Sequence, residues 1–566
     1  MIGSKLLMLF AVLLLIMACD SENLRKKGAT FYWFEYRGQD TFYLDHALGI
    51  NEYYNPILGG FYPDPSICRK GDDYYMVNST FSFFPGVSVF HSTDLVHWSQ
   101  IGYVLNRKSQ LNITNQDISE GIFAPAISYN PYNDTFYLVT TFVGGIDNFI
   151  VKAGDPAGPW SDPILIPEVS GIDPSLFFDD DGRAWIVNNG APEEKPLYPG
   201  HRAIWIQEFD TDSDKVKGLR KVLVNGGCDI STNPVWIEGP HLYKANGYYY
   251  LMAAEGGTEE NHSEVIFRSK NVTGSYSPFA GNPILTQRDL SDDRSNPVTC
   301  TGHADMIQDP GGDWWAVFLG CRPYKDNHYN TGRETFLLPV HWYDQWPVIT
   351  EKGRSVPLIG KKEHLEKDIP GTYFPSGNFV ERDEFDGDSL ALYWNFIRTP
   401  QRKWYSLEEG ALKISCEPVS FREKKNPAFI GRRQQHIRFT ATTAVSIIPD
   451  SYGDCSGLVC FRTESNNYFL GISSGQNGLV AFVDKTIRRN GQLVRKRLAI
   501  KKTDLTVDNA IYLRVVGRDN VLDFFISEDN NVWESLAEGQ DATYLSTATA
   551  GGFVGTYIGM YAGSRE

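Results

Sequence analysis

One unit, a short strand, a tight polar turn and an aromatic strand, occurs five times between residues 64 and 317. Asp64-Pro65-Ser66-Ile67 leads through Lys70–Asp73 to Tyr74-Tyr75-Met76-Val77. Ala124-Pro125-Ala126-Ile127 leads through Asn130–Asp134 to Phe136-Tyr137-Leu138-Val139. Asp173-Pro174-Ser175-Leu176 leads through Asp179–Gly182 to Ala184-Trp185-Ile186-Val187. Glu238-Gly239-Pro240-His241-Leu242 leads through Ala245–Gly247 to Tyr248-Tyr249-Tyr250-Leu251, and His303-Ala304-Asp305-Met306 through Gly311–Asp313 to Trp314-Trp315-Ala316-Val317. A period of roughly 50–65 residues is the size of a four-stranded propeller blade. Because helical periodicity is almost absent here, the pattern predicts an all-β chain with a five-bladed β-propeller over residues 52–350. Polar residues rich in Lys, Glu, Pro and Gly at 351–377 read as a linker. Strand patterns resume over 378–566 and predict a β-sandwich of jelly-roll type.

The propeller determines where the chemistry sits. The innermost strand of each blade lines the central axis, so its opening positions meet at one mouth. Read off the repeat, these are Asp64, Ala124, Asp173, Glu238 and His303. Asp before Pro is often a turn former, and an isolated Glu in an apolar strand often makes a structural ion pair. Three carboxylates converging from different blades suit glycosidic hydrolysis better. That reaction needs an acid for the leaving oxygen and a carboxylate on the other side of the sugar. The acid must stay protonated near neutrality, which apolar surroundings or a neighbouring anion achieve. Glu238, preceded by Val235-Trp236-Ile237, suits the acid; Asp64, between two prolines, suits the base; Asp173 supplies a third charge.

Several longer motifs carry a resemblance. Gly60-Phe61-Tyr62-Pro63-Asp64-Pro65-Ser66-Ile67, Gly171-Ile172-Asp173-Pro174-Ser175-Leu176 and Glu238-Gly239-Pro240-His241-Leu242 occur in order, as do Phe84-Pro85-Gly86-Val87, Thr301-Gly302-His303 and Gly332-Arg333-Glu334-Thr335. Together they resemble glycoside hydrolase family 43, in its β-xylosidase and α-L-arabinofuranosidase branch, and the C-terminal part is similar to that branch's concanavalin-like sandwich. The resemblance implies an inverting exo-glycosidase that releases terminal α-L-arabinofuranosyl or β-D-xylosyl residues from plant cell-wall polysaccharides or oligosaccharides. It implies Asp64 as general base, Glu238 as general acid and Asp173 as the residue tuning Glu238. Arg333 matches the family's sugar-binding arginine, and Phe84, Phe123 and His303 are candidate pocket residues. Many relatives carry Trp at the position of Phe123, which leaves the identity of the sugar open. No cofactor is expected. A calcium beside the matching histidine in some relatives leaves a metal at His303 open.

Other functions fit the sequence less well. An invertase-type fructosidase joins the same two folds but carries W-M-N-D-P-N-G and R-D-P motifs that this sequence lacks. A non-catalytic carbohydrate-binding propeller would be favoured by loss of any of the three carboxylates, and none is lost.

The N-terminus carries an address. Lys5 precedes the apolar run Leu6–Met17, which ends at Ala18 and Cys19. This pattern reads as a secretion signal, and Ile16-Met17-Ala18-Cys19 resembles a bacterial lipoprotein signal. An exported protein is expected, held to the membrane only by lipid on Cys19, in the periplasm or at the cell surface. Residues 20–51 read as an extension whose aromatic stretch Phe31-Tyr32-Trp33-Phe34 packs on the body. The seven cysteines after Cys19 are odd in number and lack metal-ligand spacing, so they form no disulfide framework. A net charge of −16 argues against a nucleic-acid partner.

Overall fold

A computed structural model describes residues 27–291, 293–365, 375–451, 453–475, 478–506 and 509–564; the expected lipidation site, Cys19, lies outside them. The architecture is a five-bladed propeller joined to a two-sheet sandwich. Blade I is Ser66–Lys70, Asp73–Val77, Gly86–Ser92 and Ser99–Leu105, paired in that order. Blade II opens on Gly121–Asn130, blade III on Ile172–Phe178, blade IV on Glu238–Ala245 and blade V on Thr299–Gln308, each followed by antiparallel neighbours. Packed aromatic and branched side chains between blades form separate cores, such as that of Tyr250, Met252, Phe318 and Phe336.

Polar side chains close the ring near the axis. Asp305 of blade V accepts from Ser66 Oγ and from the Ile67 amide of blade I, both at 2.9 Å. Ser66 Oγ in turn accepts the Ile127 amide of blade II at 3.1 Å, and Ser175 of blade III donates to the Pro240 carbonyl of blade IV at 2.5 Å. These bonds satisfy buried backbone groups that the interrupted ladders leave unpaired.

That interruption recurs. The register slips between Phe123 and Ala126, between Ile172 and Ser175, between Glu238 and His241, and between Gly302 and Asp305. Each slip is a bulge whose first extra residue has a left-handed backbone: Ala124, Asp173, Gly239 and His303, with Asp64 in the same conformation in blade I. The repeat is therefore aligned one residue differently from the sequence reading. Gly239, not Glu238, is the equivalent of Asp64 and Asp173. Glu238 occupies the preceding position, shared with Phe123 and Ile172. The reason is steric: a Cβ at residue 239 would lie 2.7 Å from His303 Nε2, on a backbone at φ +55°. A glycine there forces the acidic side chain back by one.

The sandwich is not built from residues 378–566 alone. Gly28–Gly38, within the expected extension, is a central strand of one sheet, paired on one side with Arg438–Ile448 and on the other with Val380–Asp383 and Leu412–Ile414. Phe31, Phe34 and Tyr36 are buried in its core. The opposite sheet runs Gln492–Lys502, Gly478–Arg489, Asn467–Gly475, Cys455–Phe461, Tyr557–Gly563, Phe429–Arg433 and Asn395–Ile397, and ends on Phe83–Phe84 of the propeller. The described part of the expected linker also packs: Ile359–Lys361 pairs with Glu52–Tyr54, and Val356 and Leu358 are buried against blades IV and V. Apolar residues spaced along that polar stretch are enough to hold it down. All seven described cysteines are free thiols.

Candidate active site

At one mouth of the propeller axis lies a pocket of about 180 Å³. Asp64, Asp173, Glu238, His303 and Arg333 line it together, so the residues drawn from four blades do meet. Below them the axis narrows to a space of about 10 Å³ beside Pro65, Pro125 and Pro174, too small for a sugar. The pocket is a dead end.

The electrostatics separate the carboxyls. Burial pushes the Glu238 carboxyl up to about 8, with Asp173 and then Asp64 adding to the rise and Arg333 opposing it. Burial also raises Asp173, against the attraction of His303. Two hydrogen bonds oppose that rise. The Asp173 Oδ2 accepts the Gly239 amide at 3.3 Å and its carboxyl is hydrogen-bonded by Asn189, and bonds to the charged form favour ionisation. Asp64 has His303 Nδ1 at 3.6 Å. Glu238, held protonated by burial and by its carboxyl neighbours, meets the electrostatic requirement for protonating a leaving group.

Arg333 reaches the pocket from the strand entry after Gly332. Its guanidinium lies 4.9 Å over the Phe553 ring and donates to the Thr258 carbonyl at 3.4 Å. Phe123 lines the pocket, its ring 4.8 Å from Phe81 and 6.0 Å from Phe553. Phe84 does not. It sits in the seam with the sandwich, paired with Phe396, because its two-residue strand completes a sandwich sheet; Phe81, three residues earlier, faces the site instead. Sequence reasoning also missed Asn189, Arg202, Trp236, Thr258 and Phe553. Trp236 was within view, two residues before Glu238. Phe553 carried no signal, since it comes from the sandwich. Its amide is held at 3.0 Å by Ser119 Oγ of the propeller.

Among the described residues, no group of three or more His, Cys, Asp or Glu side chains is placed to hold a metal ion. A larger cavity of about 230 Å³ lies between blade V and the sandwich. Its Arg322 is already engaged by Asp40 at 2.9 Å and Glu334 at 2.7 Å, so that cavity offers no comparable acid.

A propeller whose mouth combines a neutral carboxylic acid, two further carboxyls, an arginine and aromatic walls is the catalytic domain of a glycoside hydrolase. Residues 53–347 match the model of glycosyl hydrolases family 43, and residues 382–566 match that of the beta xylosidase C-terminal concanavalin A-like domain. The chain belongs to family 43. It is 39% identical over 519 residues to a xylosidase/arabinosidase of Butyrivibrio fibrisolvens, covering 90% of this chain and 96% of that one. It is 36% identical to a non-reducing end alpha-L-arabinofuranosidase of Bacteroides ovatus, covering 91% and 92%. A crystal structure of a GH43_12 retrieved from capybara gut metagenome superposes with a TM-score of 0.89 at 43% identity, over 95% of this chain and all of that one.

Proposed function

We propose that the enzyme removes single terminal pentoses, α-L-arabinofuranosyl or β-D-xylosyl, from plant cell-wall polysaccharides or oligosaccharides, with inversion. The observation that carries this reading is the neutral Glu238 in a dead-end pocket it shares with Asp64 and Asp173. Glu238 donates its proton to the glycosidic oxygen as that bond breaks. Asp64 takes a proton from the attacking water, whose oxygen bonds to the anomeric carbon from the opposite face. The products are the shortened aglycone and a free pentose of inverted configuration. Asp173 keeps Glu238 protonated between turnovers by its charge. Arg333 and His303 offer donors to the ring hydroxyls, while Phe81, Phe123 and Phe553 present faces to the carbon skeleton. A pocket blocked below and roofed by Phe553 admits a chain end rather than a chain middle.

Both pentoses are within this reading, and the names of the relatives include each. Hydrolysis of nitrophenyl α-L-arabinofuranoside and nitrophenyl β-D-xyloside by the purified enzyme decides between them. Inactivity on both would refute exo-pentosidase action. NMR of the first-formed anomer tests inversion separately. Export and lipid anchoring through Cys19 belong to the same proposal and rest on the signal pattern at residues 5–19; fatty-acid labelling that persists in Cys19→Ala would overturn the anchor.

A further inference from the structure

The long hairpin at the outer edge of the sandwich reverses the charge of the chain. Between Gly478 and Lys502 there are eight Lys and Arg side chains and one carboxylate, Asp484, in a protein of net charge −16. Asp484 is consumed locally by Arg497 and by Arg495 at 3.6 Å. Arg488, Arg489 and Lys496 are exposed, and none of them is ion-paired to a carboxylate among the described residues. Lys485 is occupied differently, its ammonium 3.8 Å over the Tyr544 ring.

The position of the hairpin links this charge to the active site. The neighbouring strand Asn467–Gly475 stops pairing at Tyr468, opposite Lys485. Beyond it only the hairpin's own pairs continue, from Thr486 with Arg495 to Arg489 with Gln492. Four residues per strand therefore project past the sheet, an overhang of about 14 Å. They project at the end where Phe461 is paired with both Asn467 and Tyr557. From that same end Arg462 binds the Gly551 carbonyl at 2.9 Å, two residues before Phe553 enters the pocket. The Tyr544 hydroxyl donates to the Thr486 carbonyl at 2.6 Å and fixes the base of the overhang to the segment leading there. Three strand spacings, about 14 Å, separate the hairpin strand Gly478–Arg489 from Tyr557–Gly563.

We infer that this hairpin is a docking surface for the carboxylates of an acidic polysaccharide, one bearing uronic-acid residues, whose chain end or side branch occupies the pocket. Guanidinium forks match carboxylates bidentately. In a chain of net charge −16, this concentration of cations gives a polyanion a favourable approach along this edge, which orients it as well as attracting it. An anionic membrane fits less well. The hairpin tip is Asn490-Gly491, and the apolar side chains of the overhang, Ile487, Leu493 and Val494, are half-buried rather than presented for entry into a bilayer.

The proposal rests on the glycosidase reading, but its test is separable. Wild-type protein and the variant Arg488→Glu/Arg489→Glu/Lys496→Glu are run through native gels containing polygalacturonate or neutral arabinan, and mixed with phosphatidylglycerol vesicles. Wild type should be retarded by polygalacturonate only, with on the order of tenfold weaker binding once salt screens the charges. The variant should lose that retardation while its kcat/KM on nitrophenyl pentosides stays unchanged, which also shows that it folds. Equal retardation of both proteins, or binding to vesicles without binding to polygalacturonate, would overturn the inference. Inactivity on every pentoside with polygalacturonate binding intact would instead strike the proposed function and leave the docking surface standing.

Discussion

Replacing Asp173 with Asn should move the alkaline limb of the pH profile, and the structure gives the size of the effect. The Glu238 carboxyl stands at about 8 rather than its ordinary 4.5, raised first by burial and then by Asp173. At pH 7 about nine-tenths of the enzyme then carries the proton it must donate. Above pH 8 kcat/KM should fall about tenfold per unit, because only protonated Glu238 is competent. Asn at 173 keeps the burial and a similar shape but deletes the carboxylate whose charge contributes most to the rise, while Arg333 continues to stabilise ionised Glu238. The limb should move to lower pH by on the order of one unit, equivalent to about 1.4 kcal/mol of lost charge–charge destabilisation. The assay is kcat/KM across about pH 4 to 10 on an oligosaccharide, whose poor leaving group depends fully on acid catalysis. A nitrophenyl substrate should show a weaker alkaline fall. An unmoved limb in the variant, with the rate merely lowered, would mean that Asp173 positions groups without setting the proton affinity. A wild-type limb below pH 6 would remove Glu238 from the acid's role.

Three further outcomes follow from the geometry. Phe84→Ala should cost about 3–5 kcal/mol of stability by leaving a cavity in the seam, visible as a lowered Tm, with KM unchanged; a raised KM and unchanged Tm would return Phe84 to the pocket wall. Gly239→Ala should cost at least about 1–2 kcal/mol from the left-handed backbone alone and displace His303, so folded variant with full activity would contradict the steric account. Glu264 is fully buried, accepts the Ala304 amide at 2.9 Å, and is held by burial well above the usual carboxylate range. A carboxyl raised on folding favours the native state below its unfolded pKa and costs stability as pH rises from there toward its folded value. Glu264→Gln should therefore gain stability relative to wild type as pH rises above about 5, read by thermal unfolding across pH; a pH-independent difference would show that Glu264 ionises alike in both states.

What the sequence by itself determined was the repeat, and through it the propeller and the meeting of Asp64, Asp173, Glu238 and His303 at one mouth; Arg333 came only from the family resemblance. Alternation, turn residues and blade spacing are local properties, and a closed ring leaves little freedom in where its innermost strands end. Tertiary structure decided the rest. The bulge that places Gly239 rather than Glu238 opposite Asp173 depends on His303 of the next blade, a contact between residues 64 positions apart. Phe83–Phe84 became a strand of the sandwich, and Gly28–Gly38 a strand at its centre, because open sheet edges there needed partners. Phe553 entered the pocket by the docking of one domain on the other, held by Ser119 and stacked against Arg333. Periodicity reports which face a residue presents within its own sheet; which foreign surface meets that face is set only when the domains pack.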